Sequence, residues 1–219
     1  MKKFNTKERK AARTQVEDSI SPRAYNTILG ATILYGFLVN ALMVLFAGPL
    51  VANLNPIAFL IGYFVCVIAG AILANKSSKP ALSFLGYNLI VVPIGVLLTI
   101  VLPDYDAGNI LLAVLLTGII TVIMILLSMA FPDFFSKLGR TLFFSLLICL
   151  FVELIAILFG YRGDLFSLLF VGIFSLYIGY DWYRAQAYSK TVDNAIDSAI
   201  DLYLDIINIF LDILDLLDN

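Results

Sequence analysis

Apolar residues in this chain fall in long runs broken by short polar stretches. The runs Tyr25–Ala47, Pro56–Ala74, Pro80–Leu102, Asn109–Phe131, Thr141–Gly160 and Leu165–Tyr183 each hold about the 20 residues that an α-helix needs to cross a bilayer. The last stretch, Ala199–Leu217, has a different pattern. Asp197, Asp201, Asp205, Asn208, Asp212 and Asp215 recur at steps of 4, 4, 3, 4 and 3. At about 100° per residue they occupy a stripe roughly 80° wide, and most of the remaining circumference is Ile, Leu and Phe. Such a helix has two settings: flat on a surface with its acids in water, or inside a bundle with its acids lining something polar.

The connections Gly48–Asn55, Asn75–Lys79, Pro103–Gly108, Pro132–Arg140 and Tyr161–Asp164 are short, and only Arg184–Ser198 is longer. They leave no room for an extramembrane domain. The expected fold is therefore an all-α membrane protein, a seven-transmembrane-helix bundle, with residues 1–24 as an N-terminal arm and residues 25–219 as one domain. Pro56 and Pro80 stand at helix starts, where a missing N–H is harmless, and Pro93 is expected to kink the third helix. Thr117, Gly118 and Thr121 suggest a face where the fourth helix packs closely on a neighbour.

Composition agrees with this pattern. Hydrophobic residues make up 61% of the chain and charged residues 14%, against about 45–50% and about 25% in soluble domains. Seven basic residues, Lys2, Lys3, Lys7, Arg9, Lys10, Arg13 and Arg23, precede the first apolar run, mixed with Glu8, Glu17 and Asp18. This opening leads into a full span and lacks a cleavage site, so no secretory signal is expected. It is short, mixed in sign and free of interleaved aromatics, which argues against nucleic acid as a partner. With the N-terminus in the cytoplasm, the inner side holds these seven and also Lys76, Lys79, Lys137, Arg140, Arg184 and Lys190. The outer side holds Arg162 alone. The positive-inside rule then places the C-terminus outside. Histidine is absent, and Cys66 and Cys149 each lie inside an apolar run. Common zinc sites and His-based triads are thereby excluded, and a disulfide framework is unsupported.

Glu153, Asp181, Asp201, Asp205, Asp212 and Asp215 fall inside the expected spans. An ionised carboxylate facing lipid at mid-membrane costs a few kcal/mol, so these acids must meet water, a proton or a cation. Counting about 1.5 Å per residue puts Asp181 and Asp205 in the inner third, with Lys76 the basic side chain best placed to reach them. Glu153 and Asp212 lie level with each other in the outer half, and they and Asp201, which is near enough to a span end to be interfacial, are candidates to line a cavity. Two carboxylates in contact hold each other through a shared proton and repel once it is lost, which is the chemistry of a pH-sensitive latch. A hard cation competes for the same oxygens. The structural alternative is that Asp181 simply pairs with Lys76 or Arg184 at the interface.

The segment Ser175-Leu-Tyr-Ile-Gly-Tyr-Asp181, followed by Asp201-Leu-Tyr-Leu-Asp-Ile-Ile-Asn-Ile-Phe210, resembles the end of the Bax inhibitor-1 (transmembrane Bax inhibitor motif) family. The resemblance implies seven helices with the C-terminal helix central, in a bacterial cell membrane. It also implies a pH-sensitive Ca2+ leak gated by Asp181 and Asp205, with Lys76 as latch partner. No resident cofactor is expected. Ca2+ enters as a permeant or bound ion with Asp181 and Asp205 as its metal ligands, and the partners are the lipid bilayer, cations and protons. Two departures bear on conduction: no acid lies between Pro56 and Asn75 where the bacterial prototype has one, and lysine replaces its latch arginine, losing the planar fork. Two other readings compete. One is a regulatory or structural membrane protein without transport. The other is an intramembrane aspartyl protease, since Tyr180-Asp181 and Asp205 are superficially similar to the presenilin aspartates. Here, however, Leu202-Tyr203-Leu204 stands where that class has Gly-x-Gly, and no Pro-Ala-Leu follows. The expectation is therefore that the chain is not an enzyme.

Overall fold

The computed structural model describes residues 19–160 and 164–218. The basic residues from Lys2 to Arg13, the acids Glu8, Glu17 and Asp18, and Arg162 lie outside the described residues. Seven helices of 20 residues or more follow one another: α1 Pro22–Phe46, α2 Pro56–Lys76, α3 Pro80–Val101, α4 Ala107–Ala130, α5 Gly139–Leu158, α6 Leu165–Ala187 and α7 Val192–Asp218. There is no strand among the described residues. Six of these helices, α1 to α6, are long and apolar enough to cross a membrane. Their starts are written locally. Proline opens α1, α2 and α3, and the side chains of Ser21, Asn55 and Asp106 accept bonds from the first free N–H groups of α1, α2 and α4. Helix α3 runs unbroken through Pro93.

The chain forms two compact units. The first comprises residues up to Asp104 together with Ala187–Ile200. Its centre is α3, which packs against α1 and α2 and buries Tyr87, Ile90, Val91, Ile94 and Leu98. Exposed Leu, Ile and Phe cover the outer faces of α1 and α2, as suits contact with acyl chains. Helices α2 and α3 meet backbone to backbone at Gly70 and Gly86, where a Cβ on either would press on the carbonyl oxygen of the other. The close-packing face expected at Gly118 is not there, since a Cβ on that residue meets nothing within 4 Å. Gly118 is exposed, and the Thr121 hydroxyl bonds back to the Thr117 carbonyl of its own helix.

The long polar connection expected over Arg184–Ser198 is also corrected. Helix α6 continues to Ala187 and α7 begins at Val192, leaving residues 188–191 between them. The polar residues there are structured by partners in place of water. Thr191 caps α7, its hydroxyl accepting from the Asn194 N–H at 3.1 Å. The Ser83 hydroxyl donates to Asp193 at 2.6 Å, and Asn194 donates to the Ser189 carbonyl at 2.9 Å. Tyr25, fully buried, donates to the Asn194 carbonyl at 3.3 Å and lies 3.0 Å from the Ser198 hydroxyl. Lys190 stands over the Tyr25 ring, 4.3 Å from its centroid, and burial pushes its ammonium below the usual lysine range. All residues from Asp193 to Ile200 are buried, so α7 has no exposed face over its first turns. Tyr25→Phe removes one hydroxyl from this buried network and is expected to cost about 1–2 kcal/mol. In detergent this should appear as a melting midpoint a few degrees lower, with the helix content unchanged.

The second unit comprises Tyr105–Gln186 and Asp201–Asn219. The Ser128 hydroxyl of α4 donates to the Gly179 carbonyl of α6 at 2.6 Å, and the buried Phe135 ring covers Gly179. Asn109 of α4 donates to the Leu217 carbonyl at 3.0 Å, and Ser167 of α6 to Asp215 at 2.6 Å. These bonds tie the end of α7 to both helices. The outer faces of α4 and α5 are again lined by exposed Leu, Ile and Phe.

Candidate acidic site on the last two helices

Asp181 ends an aromatic turn of α6, one residue after Tyr180, and is 7% exposed. Its Oδ1 accepts from the Arg184 guanidinium at 2.6 Å, the i to i+3 spacing that places both on one helix face. Arg184 also approaches Oδ2 of Asp201 on α7 at 3.6 Å. The Tyr180 ring supports the guanidinium from another side, with 5.3 Å from its centre to the ring centroid. Asp205 follows Asp201 by one turn of α7 and is 6% exposed. Its carboxyl is near enough to Asp181 and Asp201 to feel their charges, and among the described residues its Oδ2 is buried without a hydrogen-bond partner. Tyr177, one turn before Asp181, is close enough to feel both acids.

The site therefore brings together Asp181, Asp205 and Asp201 from the expected set. Lys76 closes α2 as an exposed side chain, and the guanidinium bound to Asp181 is that of Arg184. Glu153 and Asp212 belong to a second acidic group with Asp215 on α5 and α7. Among the described residues Asp212 Oδ2 is buried without a hydrogen-bond partner, and Cys149 is within electrostatic reach of Glu153 and Asp212. Ser167, bonded to Asp215, adds a neutral donor that a search for charges passes over. A lone serine early in an apolar helix is the signal that marks it. Among the described residues, no three acids, cysteines or histidines stand in a metal-binding arrangement.

This geometry permits two chemistries. A carboxyl pair out of water can hold a proton between its oxygens, and a carboxylate beside a guanidinium can exchange that cation for another.

The chain aligns with an uncharacterised protein of Helicobacter pylori at 28% identity over 195 residues, covering 84% of this chain and 83% of the relative. The counterpart from a second strain of that bacterium aligns with the same identity and coverage. The family described as inhibitor of apoptosis-promoting Bax1 matches residues 18–219. With six apolar helices of spanning length beneath that match, the chain is a multi-pass membrane protein and belongs to the Bax inhibitor-1 family.

Proposed function

We propose that this protein is a pH-sensitive cation leak, with Ca2+ as the first cation to test, and that Asp181 and Asp205 are its gate. The observation that carries the reading is the burial of two acids within electrostatic reach of each other, one on α6 and one on α7, with Asp205 Oδ2 left without a hydrogen-bond partner among the described residues. Such a pair is stable while it shares a proton and splits when it loses it. Low pH then favours the closed form and higher pH the open one. In this reading α7 crosses the membrane as the central helix, which its enclosed first turns support, and its acids face the pathway. The arm lies in the cytoplasm and the C-terminus outside, as the basic residues suggest. Glu153 and Asp212 form the outer acidic station of the same path, and the chain moves ions without catalysing a reaction.

Reconstitution of the full chain in liposomes, with Ca2+ entry followed by a trapped dye, tests this. Entry should rise with pH, by up to about tenfold per unit while one group titrates. Entry no faster than into empty vesicles at every pH would end the proposal. The salt bridge between Arg184 and Asp181 favours a second reading, in which the acids are structural and the protein regulates without transport. That reading expects Asn at both aspartates to lower the melting temperature and leave flux at background.

A further inference from the structure

Thr117 stands near the middle of α4 and is 4% exposed, yet its hydroxyl Oγ1 is buried without a hydrogen-bond partner among the described residues. Every other serine and threonine hydroxyl of α4 and α6 has one. Thr121 donates to the Thr117 carbonyl at 2.8 Å and Ser128 to the Gly179 carbonyl at 2.6 Å. Ser167 donates to Asp215 at 2.6 Å and Ser175 to the Val171 carbonyl at 2.6 Å. A threonine inside a helix has the carbonyl four residues back within reach, and Thr117 does not take it. A hydroxyl left without a bond is costly in a water-free interior.

Three bonds fix where this hydroxyl lies. Asn109 joins the start of α4 to the Leu217 carbonyl at the end of α7, and Ser128 joins the far end of α4 to α6. Ser167 joins the start of α6 to the end of α7, so α4 and α6 run together and α7 runs against them. At about 100° per residue, Thr117 is about 20° around α4 from Ser128, on the face turned to α6. Gly118, one residue on, is exposed with open space around it. At about 1.5 Å per residue, Thr117 is about 12 Å along α4 from Asn109, and Asn208 is about 14 Å along α7 from Leu217. The two are therefore level, at a height between Asp212 and Asp205. Asn208 is half-buried, and its amide donates to the Leu204 carbonyl at 2.9 Å. Its side-chain oxygen is an acceptor. A hydroxyl and an amide oxygen can stand in for water around a passing cation and, being neutral, let it go.

We infer that Thr117 is a wet position: its hydroxyl meets water in mid-membrane and, with Asn208, forms a neutral polar step between two acids of α7. That this water serves a cation path rests on the transport reading above; that Thr117 is wet does not. The test replaces Cys66 and Cys149 by alanine in the full chain, adds Thr117→Cys or Gly118→Cys, and reconstitutes each protein in liposomes. The probe is Ag+, which travels with water and is captured by a thiolate, and the blocked fraction is read by alkylation after unfolding. Blocking should be about tenfold faster or more at Thr117→Cys than at Gly118→Cys. Equal rates overturn the inference, even if the native chain conducts. Faster blocking in a chain that passes no Ca2+ at any pH upholds the inference and removes the transport reading instead. If the cysteine variants do not fold, Thr117→Val carries the test through its melting midpoint, since it keeps the shape and removes the hydroxyl. Loss of a dry, unpartnered hydroxyl raises the midpoint, which overturns the inference. Loss of a hydroxyl bonded to water leaves the midpoint unchanged or lower, which upholds it.

Discussion

In Asp205→Asn, the Ca2+ leak is expected to stay at its low-pH level over the whole pH range in which the native leak rises. The reason is chemical mimicry. An asparagine amide donates to the Asp181 carboxylate as a protonated Asp205 would, and it cannot lose that donor as pH rises. Asp205→Ala removes both the donor and the repulsion, so its leak should be equally flat but high. The two variants therefore bracket the native curve, which falls to the first plateau in acid and approaches the second in base. The sign follows from the proton count: the closed form binds one more proton than the open form, so raising the pH draws the equilibrium toward open. The check is the pH profile of dye-reported entry for all three proteins at equal reconstitution. An Asp205→Asn profile as steep as the native one would remove Asp205 from the gate.

Much of the architecture was legible because the bilayer demands unbroken apolar runs, and α1 to α6 match theirs to within a few residues at each end. The start of α7 was not. Asp193, Asn194, Asp197 and Ser198 look like loop residues, and no reading of hydropathy reveals that the Ser83 hydroxyl waits for Asp193 or that Tyr25 bonds Ser198. Polar residues call for water only when the fold offers them nothing better. The acids on α6 and α7 stand out because an ionised carboxylate within a span is costly unless partnered. The Arg184 pairing, one of the two the sequence leaves open for Asp181, follows from a spacing of three residues on one helix. Glycines posed the same difficulty in another form. Gly118 and Gly86 look alike in sequence, and only the surface opposite each one separates them.

That surface makes Gly86→Leu the most destabilising single change expected in the first unit. A Cβ at position 86 would lie 2.6 Å from the Gly70 carbonyl oxygen and 3.1 Å from the Ala74 nitrogen. Both are backbone atoms of α2, so no rotamer change relieves the contact, and the two helices must move apart. Separation uncovers Ala74 and loosens α3, on which the buried Tyr87 and Ile90 depend. Overpacking of this kind costs about 1–3 kcal/mol, and the three further carbons of leucine place this change at the upper end. For a chain of this length that corresponds to a melting midpoint lower by roughly 10 °C. Gly95→Ala is the graded control, because its Cβ meets chiefly the Met43 side chain, whose flexible end can turn away. Gly118→Ala is the neutral one, with open space around it and a small gain in helix propensity. The expected order of melting is Gly118→Ala at or above native, Gly95→Ala slightly below, and Gly86→Leu far below. A Gly86→Leu protein that melts with the native one would mean that α2 and α3 do not meet backbone to backbone, and the packing of the first unit would have to be redrawn.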